Sequence, residues 1–226
     1  MSQRDLSSEI AQLLENRAAL LGFADMDSLL SERFEGLPRG ISIAVRLSDR
    51  IVNELKSGPT KVYAYHYHAM NRYLDDLAIR VMHLLQGAGY QCFPVPSSQT
   101  VDWKRHMGHI SHKMVATRAG LGWIGKSALL VTPDLGPRVR FVSLLTDAPL
   151  RVGTPVEESQ CGDCQACVKA CPVEAIKGAN WSTTVNRAML LDVNRCADLL
   201  EKYKEKFGAS VCGVCVRACP KGSSKR

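Results

Sequence analysis

Apolar and polar positions alternate through Ile41-Ser42-Ile43-Ala44-Val45-Arg46-Leu47, the period-two pattern of a half-buried strand. Leu6, Ile10, Leu13, Leu14 and Leu20 instead recur at helical spacing, which predicts an amphipathic helix over Leu6 to Leu21. A long helix is predicted from Pro59 to Leu85, with Pro59 near its first position and Gly87 just past its end. Tyr90 to Val95 reads as a strand stopped by Pro94 and Pro96, and Gly108 to Ala119 as a short helix. Ser127 to Val131 and Val139 to Leu145 read as further strands. Helices and strands mix without strict alternation, so the expected class is α+β, a layered α/β sandwich.

The chain has 226 residues, 46% of them hydrophobic and 23% charged, enough for a buried core in one or two domains. Its start, MSQRDLSSE, is polar, and the tail from Lys221 to Arg226 is polar and basic. The longest apolar stretch, Ser127 to Leu145, is broken by Pro133, Asp134, Pro137, Arg138 and Arg140. A secretion signal or a membrane span is therefore not expected, and a cytoplasmic, thiol-reducing setting is. All six histidines and one cysteine, Cys92, lie in the first 150 residues, while eight cysteines lie between Cys161 and Cys219. That step predicts domains 1–150 and 151–226, joined through Pro149 to Pro155.

Cys161-x2-Cys164-x2-Cys167-x3-Cys171-Pro172 has the spacing of a bacterial ferredoxin half-motif. Three thiolates two residues apart wrap one cubane, and the fourth ligates a second cluster. An incomplete copy, Cys212-x2-Cys215-x3-Cys219-Pro220, follows, and Cys196 is the available substitute for its missing ligand. Crossing then assigns Cys161, Cys164, Cys167 and Cys219 to one 4Fe–4S cluster, and Cys171, Cys196, Cys212 and Cys215 to another. Zinc and disulfides account less well for this pattern. Cys92 is left over and reads as a small buried apolar residue. The formal charge of +7 falls to about +3 once two oxidised clusters at about −2 each are counted, which weakens any argument for nucleic acid.

Gly120-Leu121-Gly122-Trp123-Ile124-Gly125-Lys126-Ser127 matches two phosphate-binding expressions, but both need a strand before the glycines and a helix after. The predicted order here is the reverse. Two readings stay open: a turn packed tightly under a neighbour, or the backbone wall of a flat cofactor's cavity. Lys126 would then stabilise an anion or lie in solvent. His106, His109 and His112 recur every third residue, as a polar helix face or as cavity-lining groups. Tyr67 and His68 face a cofactor or pack as an aromatic helix start.

The segments ATRAGLGWIGKSALLV (Ala116 to Val131), CGDCQACVKACPVEAI and CGVCVRACP resemble the epoxyqueuosine reductases and their relatives the reductive dehalogenases. The likeness runs from about Lys61 through the second cysteine group. It implies a nitroreductase-like domain holding a corrinoid (cobalamin), followed by a two-cluster 4Fe–4S ferredoxin-like domain that feeds it electrons. It further implies cofactor-facing roles for Tyr67, His68, Gly120, Gly122, Trp123, Gly125 and Lys126. The family's catalytic aspartate lies in a Val-Asp-x-x-Pro-like segment. Here Val101-Asp102 lacks the proline and an ungapped match places His106, so Asp102 and His106 are the candidate proton donors. The sequence ends soon after Cys219, so the family's tRNA-associated extension, and tRNA as a partner, are not expected. The implied activity is an iron–sulfur oxidoreductase with an external donor of ferredoxin or flavodoxin type and a small-molecule acceptor. The alternative is an electron-transfer or reactivation protein that has no corrinoid and reduces a partner protein.

Overall fold

The structure, a computed structural model, describes residues 4–223; the first three residues and the end of the basic tail lie outside the described residues. The chain folds into two compact units, each assembled from three segments. One comprises residues up to Val45, Met70–Leu121 and Arg140–Val156; the other comprises Arg46–Ala69, Gly122–Val139 and the chain from Glu157. The compositional step at 150/151 thus falls within a stretch that stays with the first unit. Two earlier segments fold with the cysteines.

The first unit is built on a four-stranded sheet. α1 (Leu6–Leu14) opens it, capped by the Asp5 side chain accepting from the Ser8 N–H at 3.2 Å. The helix stops seven residues before the expected end at Leu21, and Asn16 then adopts a left-handed backbone, φ 60°. Leu20 and Leu21 belong instead to β1 (Leu20–Asp25), which pairs antiparallel with β2 (Arg39–Arg46). Their apolar character satisfies a strand as well as a helix, and only pairing decides between them.

After α2 (Asp49–Asn53) comes α3 (Lys61–Gly87), close to its predicted span, with the Thr60 hydroxyl accepting from the Tyr63 N–H. β3 (Cys92–Val95) and α4 (His112–Arg118) follow. β4 (Trp123–Ile124) and β5 (Leu130–Val131) pair with each other, so the predicted strand from Ser127 shrinks to two residues of a hairpin. β6 (Val139–Thr146) completes the sheet, whose order is β1-β2-β6-β3, with β3 and β6 antiparallel.

Alternation in the central strands sends Ile41, Ile43 and Val45, with Val142 and Leu144, into one core. Leu74, Leu77, Ala78, Val81 and Leu85 of α3 and Leu6, Ile10 and Leu14 of α1 close over them. These positions follow the 3.6-residue period that the sequence displays. A second cluster joins Val115 and Ala119 to Ala24, Met26, Phe34 and Leu145. Gly22 permits that close packing, because a Cβ there would lie 2.8 Å from the Leu121 side chain. His112 is drawn inward here: its Nδ1 meets the Ser143 hydroxyl at 2.9 Å and its Nε2 the Pro96 carbonyl at 3.0 Å.

The second unit carries α2, the start of α3 and, after Glu157, the short or amphipathic helices α5 (Ala166–Ala170), α6 (Arg187–Leu190), α7 (Val193–Phe207) and α8 (Val214–Ala218). Among the described residues no helix is long and apolar enough to cross a membrane.

Candidate functional site

The two cysteine half-motifs fold alike. In each, a loop carries the leading cysteines, a five-residue helix carries the next, and a Cys-Pro pair ends it. A residue before proline is excluded from the helical region by the proline ring. Cys171 and Cys219 accordingly take extended backbone, φ −68°, ψ 114° and φ −67°, ψ 127°. The chain turns at each of these cysteines, and the sulfur leaves its own triplet. α5 and α8 pack directly on each other, which brings the two half-motifs together.

The sulfurs fall into two groups. Cys167 acts electrostatically on Cys161, Cys164 and Cys219, and Cys219 in turn on Cys161 and Cys164. Cys196 faces Cys212 and Cys171, and Cys215 faces Cys212, Cys196, Cys171 and, from the other group, Cys167. Cys196 stands in the first turn of α7, whose N-terminus is fixed by the Asp192 carboxylate accepting from the Arg195 N–H at 3.1 Å. The Cys171 sulfur accepts from the Ala175 N–H at 3.3 Å. These neighbourhoods are compatible with the crossed assignment, with Cys215 also beside Cys167, and Cys92 lies on β3.

Burial pushes these thiols upward, and their neighbours' charges add to it: Cys167 rises to about 11, and Cys196, Cys212, Cys215 and Cys219 rise as well. Buried sulfurs crowded in this way become thiolates only with strong cationic compensation. Among the described residues, no three His, Cys, Asp or Glu side chains converge closely enough to hold a single metal ion. A tetrahedral zinc site needs its sulfurs at about 2.3 Å from the metal. The spacing of the eight cysteines suits a polynuclear iron–sulfur core, whose thiolate ligands sit on separate irons. Cys92, pushed up to about 12 by burial and then by Asp147, has the character of a packed thiol.

The glycine segment proves to be one wall of the first quartet. Gly125, Lys126 and Ser127 line a hollow together with Cys161, Cys164, Cys167 and Cys219. The turn between β4 and β5 is held by the Gly125 N–H donating to the Leu129 carbonyl and the Ala128 N–H to the Gly125 carbonyl, both at 2.8 Å. No helix follows, so neither phosphate-binding expression has the geometry it requires. The glycines are small because the chain's own atoms press on them. A Cβ would lie 2.7 Å from the Thr154 carbonyl oxygen at Gly120 and 2.2 Å from that of Val131 at Gly122. At Gly125 it would lie 2.7 Å from the Val131 side chain and 3.4 Å from the Cys161 sulfur. Trp123 is buried, its indole N–H without a hydrogen-bond partner. The tight-turn reading accounts for these contacts.

On α3 Tyr67 is half-buried and His68 exposed, their rings edge to face at 5.6 Å. Asp102 and His106 sit in a tight turn bridged between Asp102 and Met107. The Asp102 carboxylate accepts from the Arg105 N–H at 2.9 Å and approaches the Arg105 guanidinium at 3.8 Å. His106 has left-handed backbone, φ 51°. The turn projects Trp103, which is 76% exposed. His106 and His109 precede α4 and His112 begins it, so the three do not form one helical face. In the sequence Arg138 marks only an interruption of an apolar stretch. Its guanidinium is in fact buried, paired with Asp49 at 3.1 Å and Asn53 at 2.9 Å, and it acts on the Cys219 thiol.

Residues 160–222 match the family described as a 4Fe-4S double cluster binding domain. The chain is similar in sequence to epoxyqueuosine reductases. It is 37% identical over 116 residues to epoxyqueuosine reductase of Listeria monocytogenes, covering 50% of this chain and 30% of the relative. With that of Staphylococcus aureus it shares 28% identity over 216 residues, 88% of this chain and 53% of the relative. The chain thus spans at most about half the length of these relatives. Two solved structures share its fold. An epoxyqueuosine reductase superposes with a TM-score of 0.65 at 19% identity, covering 97% of this chain and 66% of the other. A reductive dehalogenase, its structure described as suggesting a mechanism for B12-dependent dehalogenation, superposes with a TM-score of 0.72 at 18% identity, covering 97% and 33%.

Proposed function

We propose that the chain is an iron–sulfur oxidoreductase module related to epoxyqueuosine reductase. Residues 151–226 would hold two 4Fe–4S clusters that serve an acceptor bound through residues 1–150. The observation that carries this reading is the sorting of eight cysteines into two crossed quartets. When bound, the clusters supply one-electron steps. Cys161, Cys164, Cys167 and Cys219 hold the first and Cys171, Cys196, Cys212 and Cys215 the second. The prolines after Cys171 and Cys219 enforce the exchange of ligands. Cys215, which faces members of both quartets, lies on the route between them. The electrons come from an external donor of ferredoxin or flavodoxin type in the cytoplasm, and neither tRNA nor a membrane enters this reading.

A corrinoid is the acceptor suggested by the B12-dependent relative. The Cβ directions of Gly120, Gly122 and Gly125 are filled by the chain's own atoms, so these glycines lend that acceptor no support. The same observation favours a second reading, in which the clusters reduce a partner protein and Asp102, held by Arg105, stays outside the chemistry. Anaerobic reconstitution with cobalamin separates the two. A stoichiometric corrinoid with a base-off spectrum establishes the first, and loss of cobalt on gel filtration with iron retained establishes the second.

A further inference from the structure

Among the described residues the chain buries two charged side chains, Lys126 at 3% exposure and Arg138 at 2%. Both are cations, and both lie beside the same sulfur quartet. Lys126 lines the hollow with Cys161, Cys164, Cys167 and Cys219, and no carboxylate pairs with it among the described residues. An ammonium withdrawn from water is costly unless an anion compensates it. Its neighbours in that hollow are the four cysteines with Gly125, Ser127, Val131, Ala166 and Pro220.

Arg138 approaches by another route. Its Nη atoms are taken by Asp49 and Asn53, while its buried Nε has no hydrogen-bond partner. The turn just before it is locked to the chain just after Cys219. A Cβ at Gly136 would lie 2.0 Å from the Lys221 carbonyl oxygen, and one at Gly222 would lie 2.0 Å from that of Leu135. The second quartet lacks such buried charge. The cation that acts on its Cys196 is Arg187, which is exposed and so screened by solvent.

We infer that Lys126, assisted by Arg138, sets the reduction potential of the cluster held by Cys161, Cys164, Cys167 and Cys219 above that of the other cluster. This rests on the two-cluster reading above. One electron from a low-potential donor takes a four-thiolate cluster from about −2 to about −3 in net charge, with no bond broken. A desolvated cation beside it favours the more negative state, and favours it more strongly in a low-dielectric setting. Asp49 offsets part of the Arg138 charge at 3.1 Å, so Lys126 has the larger effect. The lysine of the glycine segment therefore tunes a cluster and does not bind a phosphate.

The test is a dithionite titration of the cluster-loaded full chain, followed by electron paramagnetic resonance, for the parent protein, Lys126→Met, Lys126→Arg and Arg138→Lys. Iron is measured on each sample. The expected result is two midpoints in the parent. Lys126→Met lowers the higher one by about 59 mV, a tenfold change for a one-electron couple, and leaves the lower in place. Lys126→Arg returns it toward the parent value. If Lys126→Met does not assemble clusters, Arg138→Met is read in the same way, with a smaller drop expected and Arg138→Lys as its charge-retaining partner. Full iron content with unmoved midpoints, or a shift confined to the lower one, overturns the inference alone. A parent chain without two clusters overturns the reading beneath it as well.

Discussion

His112 offers a quantitative test of the first unit. Its ring is locked as a neutral tautomer, Nε2–H donating to the Pro96 carbonyl at 3.0 Å and Nδ1 accepting from the Ser143 hydroxyl at 2.9 Å. Burial lowers its pKa from 6.5 to about 4; Arg140 and Lys113 push the same way, and the Pro96 carbonyl and Asp75 oppose them. The unfolded chain binds a proton at this site that the folded chain refuses. Stability from this group is complete above pH 6.5 and is lost as pH falls toward 4. The slope is about 1.4 kcal/mol per pH unit, roughly 3 kcal/mol over the whole window. Chemical denaturation under anaerobic conditions, for the parent and His112→Gln at pH 7, 6 and 5, isolates the term as a difference. The gap between the two proteins should shrink by about 2 kcal/mol from pH 7 to pH 5. A gap that is constant with pH refutes the buried neutral histidine.

Two further substitutions probe the cluster unit. Gly122→Ala forces a Cβ to within 2.2 Å of the Val131 carbonyl oxygen, so the hairpin must open. A destabilisation of about 3 kcal/mol or more is expected by thermal denaturation, together with loss of cluster absorbance. Cys219→Ser should impair the cluster of the first triplet, although it lies in the second half-motif. Electron paramagnetic resonance should then lose the higher-potential signal and keep the lower one, whereas a local pairing rule gives the opposite loss.

Much of this was legible in the sequence because the decisive signals are periodic or covalent. Pro59 and Gly87 bracket α3 in the sequence, and the Cys-Pro pairs mark the ends of the two half-motifs because proline permits few backbone shapes. What was not legible depends on contacts distant in sequence. Leu20 and Leu21 fit a helix or a strand, and only β2 settles the choice. The glycine segment satisfied a phosphate-binding expression, yet its glycines answer to Thr154, Val131 and Cys161. Arg138 became meaningful only once Asp49, Asn53 and Cys219 stood around it.

The central claim is that eight sulfurs cage two cubanes. Iron and acid-labile sulfide, determined per chain on anaerobically purified protein, test it most directly. The account predicts about eight of each. One or two zinc ions per chain in place of iron and sulfide would contradict it.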